Sequence, residues 1–169
     1  MPQPIDFREL PFGSGLVDAS GRYVGRRVYW KIYFVENVFR VIINSVLLVQ
    51  IGPDWWHLAV GPAIKRDVAR FKSDYIKKPW YGRPGRHDIY YLQLRHLNEI
   101  LRANSHLFSV AIPDIDEWVG RIEQLRLPRN IVSHMNFPST IDQRRIDVIY
   151  SDTRSLLTHL EQKLLLQIP

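Results

Sequence analysis

Between Trp30 and about Gly52 apolar residues crowd almost every side of a helical wheel, with Phe34, Val35, Val38, Phe39, Ile42, Ile43, Val46 and Leu47 in close succession. A helix of that kind is a central one, surrounded by others. Gly52-Pro53 stops it. A second helix is predicted from Asp54 as cap to about Lys78, kinked or divided at Gly61-Pro62. Residues 79–87, PWYGRPGRH, are dense in turn formers and read as a loop. Tyr90, Leu94, Leu97 and Leu101 then recur at helical spacing over about 88–104. Ile115, Trp118, Val119, Ile122 and Leu125 form a fourth stripe, starting near Pro113-Asp114. Ile146, Ile149, Tyr150, Leu157, Leu160 and Leu164 mark a fifth, from about Thr140 to Leu166.

No sustained two-residue alternation, internal repeat or low-complexity tract interrupts this pattern. Residues 1–29 mix glycine and proline with polar residues and predict an arm or loop, with a short extended piece at RYVGRRVYW. The expected fold is therefore all-α: an up-and-down helical bundle of about five helices over residues 30–169, preceded by an irregular basic N-terminal arm over residues 1–29.

Composition narrows the class. The 169 residues are enough for one sizeable core, and 46% apolar with 24% charged residues is ordinary for a globular domain. The absence of cysteine excludes structural disulfides and thiolate metal sites. The N-terminal MPQPIDFREL has no apolar stretch of the secretory kind. The longest apolar run, VIINSVLLVQI (41–51), is broken by Asn44, Ser45 and Gln50, too short and polar for a membrane span. A cytoplasmic location without membrane attachment is the expectation.

The net charge of +6 is unevenly placed. Lys65, Arg66, Arg70, Lys72, Lys77, Lys78, Arg83 and Arg86 face only Asp67 and Asp74 within their stretch, and Arg22, Arg26, Arg27 and Lys31 have no acid among them. Tyr23, Tyr29 and Trp30 are interleaved with the second cluster, and Phe71, Tyr75, Trp80 and Tyr81 with the first. Cations with aromatics suit a phosphate backbone and bases that stack; solvated helix faces with long basic stems would look the same.

LPRNIVSHMNFP, residues 127–138, carries the most specific chemistry. Pro128 disfavours α geometry at Leu127 and suits the first position of a new helical segment. The fourth helix is thus expected to stop or kink near Arg126, with a fresh turn beginning at Arg129 and Asn130. Such a start offers unpaired N–H groups to a phosphate. Asn130 and His134, four apart, share a face, with Arg129 flanking it. A guanidinium, an amide and an imidazole, which titrates near neutrality, would then lie close together.

RNIVSH resembles the Arg-x4-His signature of the HEPN superfamily, helical domains that include many metal-independent RNA endonucleases. Glu36 and Arg40 on the first helix, the Trp55-Trp56 pair and the long last helix extend the resemblance over about residues 28–165. The resemblance implies a homodimer that joins two motifs in one composite site. In that site the 2′-hydroxyl of RNA attacks the adjacent phosphorus, leaving a 2′,3′-cyclic phosphate and a 5′-hydroxyl, with no cofactor. It makes His134 the general acid or base, Arg129 the stabiliser of phosphate charge and Asn130 an orienting group. Ser133, Glu36 and Arg40 are supporting candidates. Arg22, Arg26, Arg27, Lys31, Lys65, Arg66, Lys77, Lys78 and Arg83 would bring RNA to the motif. The setting implied is defence, toxin–antitoxin or RNA processing, with an antitoxin or regulatory protein as a further partner. HEPN toxins silenced by a nucleotidyltransferase often carry a tyrosine two residues after the histidine; Asn136 stands there, which speaks against that route.

Other readings of the same residues stay open. Glu36 and Arg40, four apart, also fit a plain intrahelical ion pair. Trp55 and Trp56 suit core packing better than base stacking. Histidines and carboxylates show no metal-binding spacing, and GSG at 13–15 lacks the context of a phosphate loop. The alternative function is a catalytically silent HEPN-like module that binds RNA or a partner protein.

Overall fold

The computed structural model describes residues 5–163 and 165–169, so residues 1–4 of the expected arm and Leu164 of the last stripe lie outside the described residues. Among the described residues 71% are helical and none is in a strand, the all-α bundle expected. In chain order the helices are α1 (Ser14–Val24), α2 (Trp30–Gln50), α3 (Trp55–Ala59), α4 (Pro62–Ile76), α5 (Leu94–Ala103), α6 (Ser105–Phe108), α7 (Ile115–Ser133) and α8 (Thr140–Glu161). A 3-10 turn, Asp88–Tyr91, precedes α5.

α2 is the axis of the bundle and touches α3, α5, α6 and α8, while α7 packs on α5 and α8. Its apolar circumference explains the position: Val35, Phe39, Ile42, Ile43 and Leu47 are completely buried. Each such side chain contributes roughly 1.5–3 kcal/mol relative to an exposed one. Trp55 and Trp56 are buried as core residues. Asn44 and Ser45, which interrupt the apolar run, seat the C-terminal segment. The Ser45 hydroxyl accepts from the Gln167 N–H at 2.7 Å, and the Asn44 amide donates to the Gln167 carbonyl at 3.0 Å. The Trp55 indole N–H donates to Asn44 Oδ1 at 3.3 Å, joining tail, α2 and α3.

Three expectations are corrected. Residues 14–29 are helical, not an arm or loop, and RYVGRRVYW contains no extended piece. α1 runs through a π-helical turn, Gly25–Tyr29, directly into α2, so Ser14–Gln50 is one 37-residue helix. Among the described residues, only 5–13 are non-helical ahead of it. Gly21 and Gly25 lie within this helix, and nothing comes within 4 Å of where a Cβ would stand on either. They mark a bare helical face rather than a turn. This helix is long and apolar enough to cross a membrane, with a mean hydropathy of 1.7 in its most apolar stretch; 61% of that stretch is buried against the rest of the chain.

Second, α7 does not stop at Arg126. Pro128 lies inside it, and the helix continues to Ser133. Pro128 is buried in line with Ile122, Leu125 and Val132, so its ring occupies a core position on the stripe. That packing offsets part of the roughly 3 kcal/mol that an interior proline costs. No new helix start exists at Arg129, and the expected N-terminal phosphate site is absent there. Third, the 54–78 helix is divided at Gly61-Pro62 as expected, into α3 and α4 with Pro62 as the first residue of α4, but two later helix bounds differ. The expected helix over 88–104 begins as the 3-10 turn, and the last helix ends at Glu161.

Two turns fix how α7 hands over to α8. The N–H of Asn136 bonds the Ile131 carbonyl and that of Met135 the Val132 carbonyl, both at 3.0 Å. This is a Schellman end, whose left-handed residue is Met135, at φ 59°. Ser139 then caps α8, its hydroxyl accepting from the Asp142 N–H at 3.2 Å while Asp142 accepts from the Ser139 N–H.

Candidate active site

A cleft of about 810 Å³ lies between the α1–α2 helix and the C-terminal end of α7. One wall follows the long helix through Gly21, Gly25, Tyr29, Tyr33, Asn37 and Arg40. The opposite wall is Arg129, Val132 and Ser133 of α7, with Met135, Asn136 and Phe137 beyond it. Phe7 closes one end, its N–H donating to Ser20 Oγ at 2.9 Å. The Arg8 guanidinium reaches the Phe137 carbonyl at 3.3 Å, and Phe137 stacks on Tyr23 with ring centroids 5.6 Å apart. Pro84 and Tyr90 form the other end. A largely apolar cleft with a few converging polar groups is the form that ligand sites take.

The polar floor is one carboxylate between two guanidinium groups. Arg129 Nε donates to Glu36 Oε1 at 2.7 Å, and an Arg40 terminal nitrogen donates to Glu36 Oε2 at 3.2 Å. Arg40 also donates to the Leu92 carbonyl at 2.9 Å and to Asn37 Oδ1 at 3.2 Å. Side-chain exposures of 11% for Glu36 and for Arg40 show that their pair is buried; the bare ion-pair reading of Glu36 and Arg40 is present, and it faces a cleft. Arg129 is 25% exposed, and among the described residues no acceptor meets its terminal nitrogens. Glu36 thus holds the guanidinium by its inner edge and leaves the outer fork to the cleft. That fork is the geometry that takes a phosphate or carboxylate through two parallel bonds.

The other motif residues are spread over a wider surface than the sequence suggested. Ser133 lines the cleft, its hydroxyl turned back to the Arg129 carbonyl at 2.8 Å. Asn130 is half-buried beside Arg129 and outside the cleft lining; its carbonyl accepts the His134 N–H at 3.0 Å. His134 is the C-terminal cap of α7 and exposed, standing on the rim between Ser133 and Met135, which do line the cleft. Arg129, Ser133, Glu36 and Arg40 are therefore brought together, while Asn130 and His134 remain outside that group.

The basic residues divide similarly. Arg22 is exposed and paired with Asp18 at 2.9 Å, and Lys31 is paired with Asp147 of α8. Arg26 and Arg27 are exposed on the π turn, beside the glycines of the cleft wall. Lys65 Nζ donates to the His57 carbonyl at 2.7 Å, and Arg66 is exposed near the start of α4. Lys77, Lys78 and Arg83 are exposed at the far end of α4 and in the loop that meets the cleft at Pro84. Eleven residues of helix separate Arg66 from Lys77, roughly 16 Å at 1.5 Å per residue, so Lys65 and Arg66 form a patch of their own.

Gly21, Gly25, Tyr33, Asn37 and Tyr90 escaped the sequence reading as site residues. Their signal was the spacing of four in Gly21, Gly25, Tyr29, Tyr33 and Asn37, hidden by reading the glycines as turn formers. No group of three histidine or carboxylate side chains placed to hold a metal ion occurs among the described residues. Compared with known protein families, curated proteins and solved structures, the chain matches none of them.

Proposed function

We propose that this protein is a metal-independent RNA endonuclease of the HEPN kind, with the Arg129 cleft as the place where the scissile phosphate binds. The single observation that carries the reading is the fastening of Arg129. Buried Glu36 holds it through Nε, and among the described residues its two terminal nitrogens meet no acceptor, in a cleft that Arg129 and Arg40 both line. Phosphoryl transfer needs little covalent help from a protein beyond positioning and charge stabilisation.

In the reaction, a base takes the 2′-hydroxyl proton as that oxygen attacks phosphorus. The bond from phosphorus to the 5′-oxygen breaks, and an acid protonates the leaving oxygen. The products are a 2′,3′-cyclic phosphate and a 5′-hydroxyl, and no water is consumed. Arg129 neutralises charge on the non-bridging oxygens, and His134 on the rim supplies one proton-transfer group. A single chain presents one imidazole at this mouth, whereas the step needs both a base and an acid. A second copy across a two-fold axis would bring the other His134, and exposed Leu127, His134 and Met135 give such a contact a partly apolar strip.

One observation favours the second reading, a silent binding module. Arg129 already has a structural use in neutralising Glu36, and His134 lies outside the cleft lining. The two readings separate on substrate chemistry. Incubation with RNA and with DNA of the same sequence, in excess chelator, should cut only the RNA, and Arg129→Ala should abolish it. Equal inertness of both polymers toward a folded, RNA-binding protein would favour the module.

A further inference from the structure

The π turn in the middle of the Ser14–Gln50 helix requires an account, because such turns are rare and concentrate at functional sites. An α-helix turns about 100° per residue, so residues four apart drift by about 40°. Val17, Gly21, Gly25, Tyr29, Tyr33 and Asn37 are all four apart, and all line the cleft. In an uninterrupted α-helix that row would drift by about 200°, and Asn37 would face away from Val17. A π turn holds roughly one residue more, which takes back part of this drift. Its effect is to keep Tyr29 and Tyr33 in line with the bare glycine face on one side and with Asn37 and Arg40 on the other.

The aromatics of this helix are not equivalent. Tyr23 stacks on Phe137 and donates to Gln143 Oε1 at 2.7 Å, and Trp30 packs edge-on against Tyr150 of α8. Tyr29 and Tyr33 are 54% and 62% exposed, and among the described residues neither ring lies against another ring or a cation. Two unengaged tyrosines therefore stand over glycines that leave the helix surface open, along the wall that leads to Arg129. Arg26 and Arg27 are exposed within the same turn, outside the cleft lining, and add positive charge near this wall, the sign that attracts a phosphate backbone.

We propose that this wall, Tyr29 and Tyr33 with Gly21 and Gly25, is a subsite for one unpaired nucleobase whose neighbouring phosphate meets Arg129. The proposal rests on the reading of the cleft as a nucleic-acid site and adds its substrate class, single-stranded rather than duplex RNA. A base inside a duplex is stacked on its neighbours and cannot offer a face to a tyrosine within a cleft. Stacking discriminates poorly among bases, so the subsite selects strandedness rather than sequence.

The test uses a fluorescent single-stranded RNA methylated at every 2′-oxygen, which cannot be cut by 2′-hydroxyl attack, so binding is read apart from cleavage. Tyr33→Ala and Tyr29→Ala should each weaken binding by about tenfold, the scale of one lost base–aromatic stack. Tyr33→Phe should bind as wild type does, because the ring is kept. Gly25→Leu, which fills the bare face without removing a ring, should weaken binding as the alanine variants do; circular dichroism checks that each variant is folded. A probe with abasic positions should bind wild type and Tyr33→Ala alike, and the corresponding duplex should be indifferent to Tyr33→Ala. Equal binding of the single-stranded probe by wild type and the folded alanine and Gly25→Leu variants would overturn the subsite, as would a duplex probe showing the same loss. Tyrosine-dependent binding in a protein that cuts no RNA would uphold the subsite and sink the nuclease reading instead.

Discussion

Arg129 Nε donates to Glu36 Oε1 at 2.7 Å, joining the last third of α7 to the first third of α2. The same carboxylate accepts from Arg40, so one acid orders two guanidinium groups at the floor of the cleft. Removing one partner of a buried pair costs more than the pair contributes, because the other charge is left behind.

Glu36→Ala should therefore destabilise the protein by about 3 kcal/mol, read as a shift of the urea midpoint. Glu36→Gln keeps an acceptor for Arg129 Nε and should cost less in stability. Its expected effect is on activity, a loss of about tenfold to a hundredfold through a mispositioned guanidinium. A Glu36→Gln variant that is stable and fully active would show that the ion pair is structural alone.

Pro128→Ala should separate stability from activity in the opposite sense. Alanine restores a backbone donor inside α7 and removes a ring clash worth about 3 kcal/mol, less what is lost by emptying a buried position. A net gain of about 1 kcal/mol is expected in denaturant unfolding, together with lower cleavage activity because the turn carrying Arg129 is re-set.

Met135 is the left-handed residue of the Schellman end, at φ 59°, a conformation that glycine adopts without strain. Met135→Gly should stabilise by about 0.5–1 kcal/mol, and Met135→Val should destabilise by about 1 kcal/mol or more. Thermal unfolding of both variants, compared with wild type, checks the sign.

His96 predicts an acid-sensitive fold. Its Nδ1 accepts the Gln93 N–H at 3.2 Å, so Nε2 carries the proton shared with Asp67 Oδ2 at 3.3 Å. Burial lowers the His96 pKa, with Arg95 adding to the effect and Asp67 opposing it. His87 is lowered too, chiefly by burial, with Asp88 opposing and Lys72 adding. The unfolded chain takes up these protons near an ordinary histidine value of about 6.5, while the folded chain resists them. Stability should be full above that pH and fall as the pH drops below it. Urea midpoints between pH 7.5 and 5.5 should show the fall in wild type, and a smaller one in His96→Gln.

The bundle was legible where local chemistry and burial agree. The largely apolar circumference of α2, the stop at Gly52, and the start of α8 at Thr140 each had a readable cause. Legibility failed where tertiary packing overrides local preference. Pro128 sits within α7 because its ring fills a core position that the spacing of Leu125 and Val132 already outlined. Gly21 and Gly25 were read as loop residues because their role, to leave a helix face bare, depends on what lies opposite. At the site, Glu36, Arg40 and Arg129 could be named from sequence, but their joint contact spans two distant helices. His134 was placed with Arg129 by spacing, and the end of α7 turns it to the rim instead.

The most direct test of the central claim is end-group analysis of a single-stranded RNA incubated with wild type and with His134→Ala, in excess chelator. Wild type should leave 2′,3′-cyclic phosphate and 5′-hydroxyl ends, and the variant should not cleave. Products ending in a 3′-hydroxyl, or equal cleavage by both proteins, would contradict that claim.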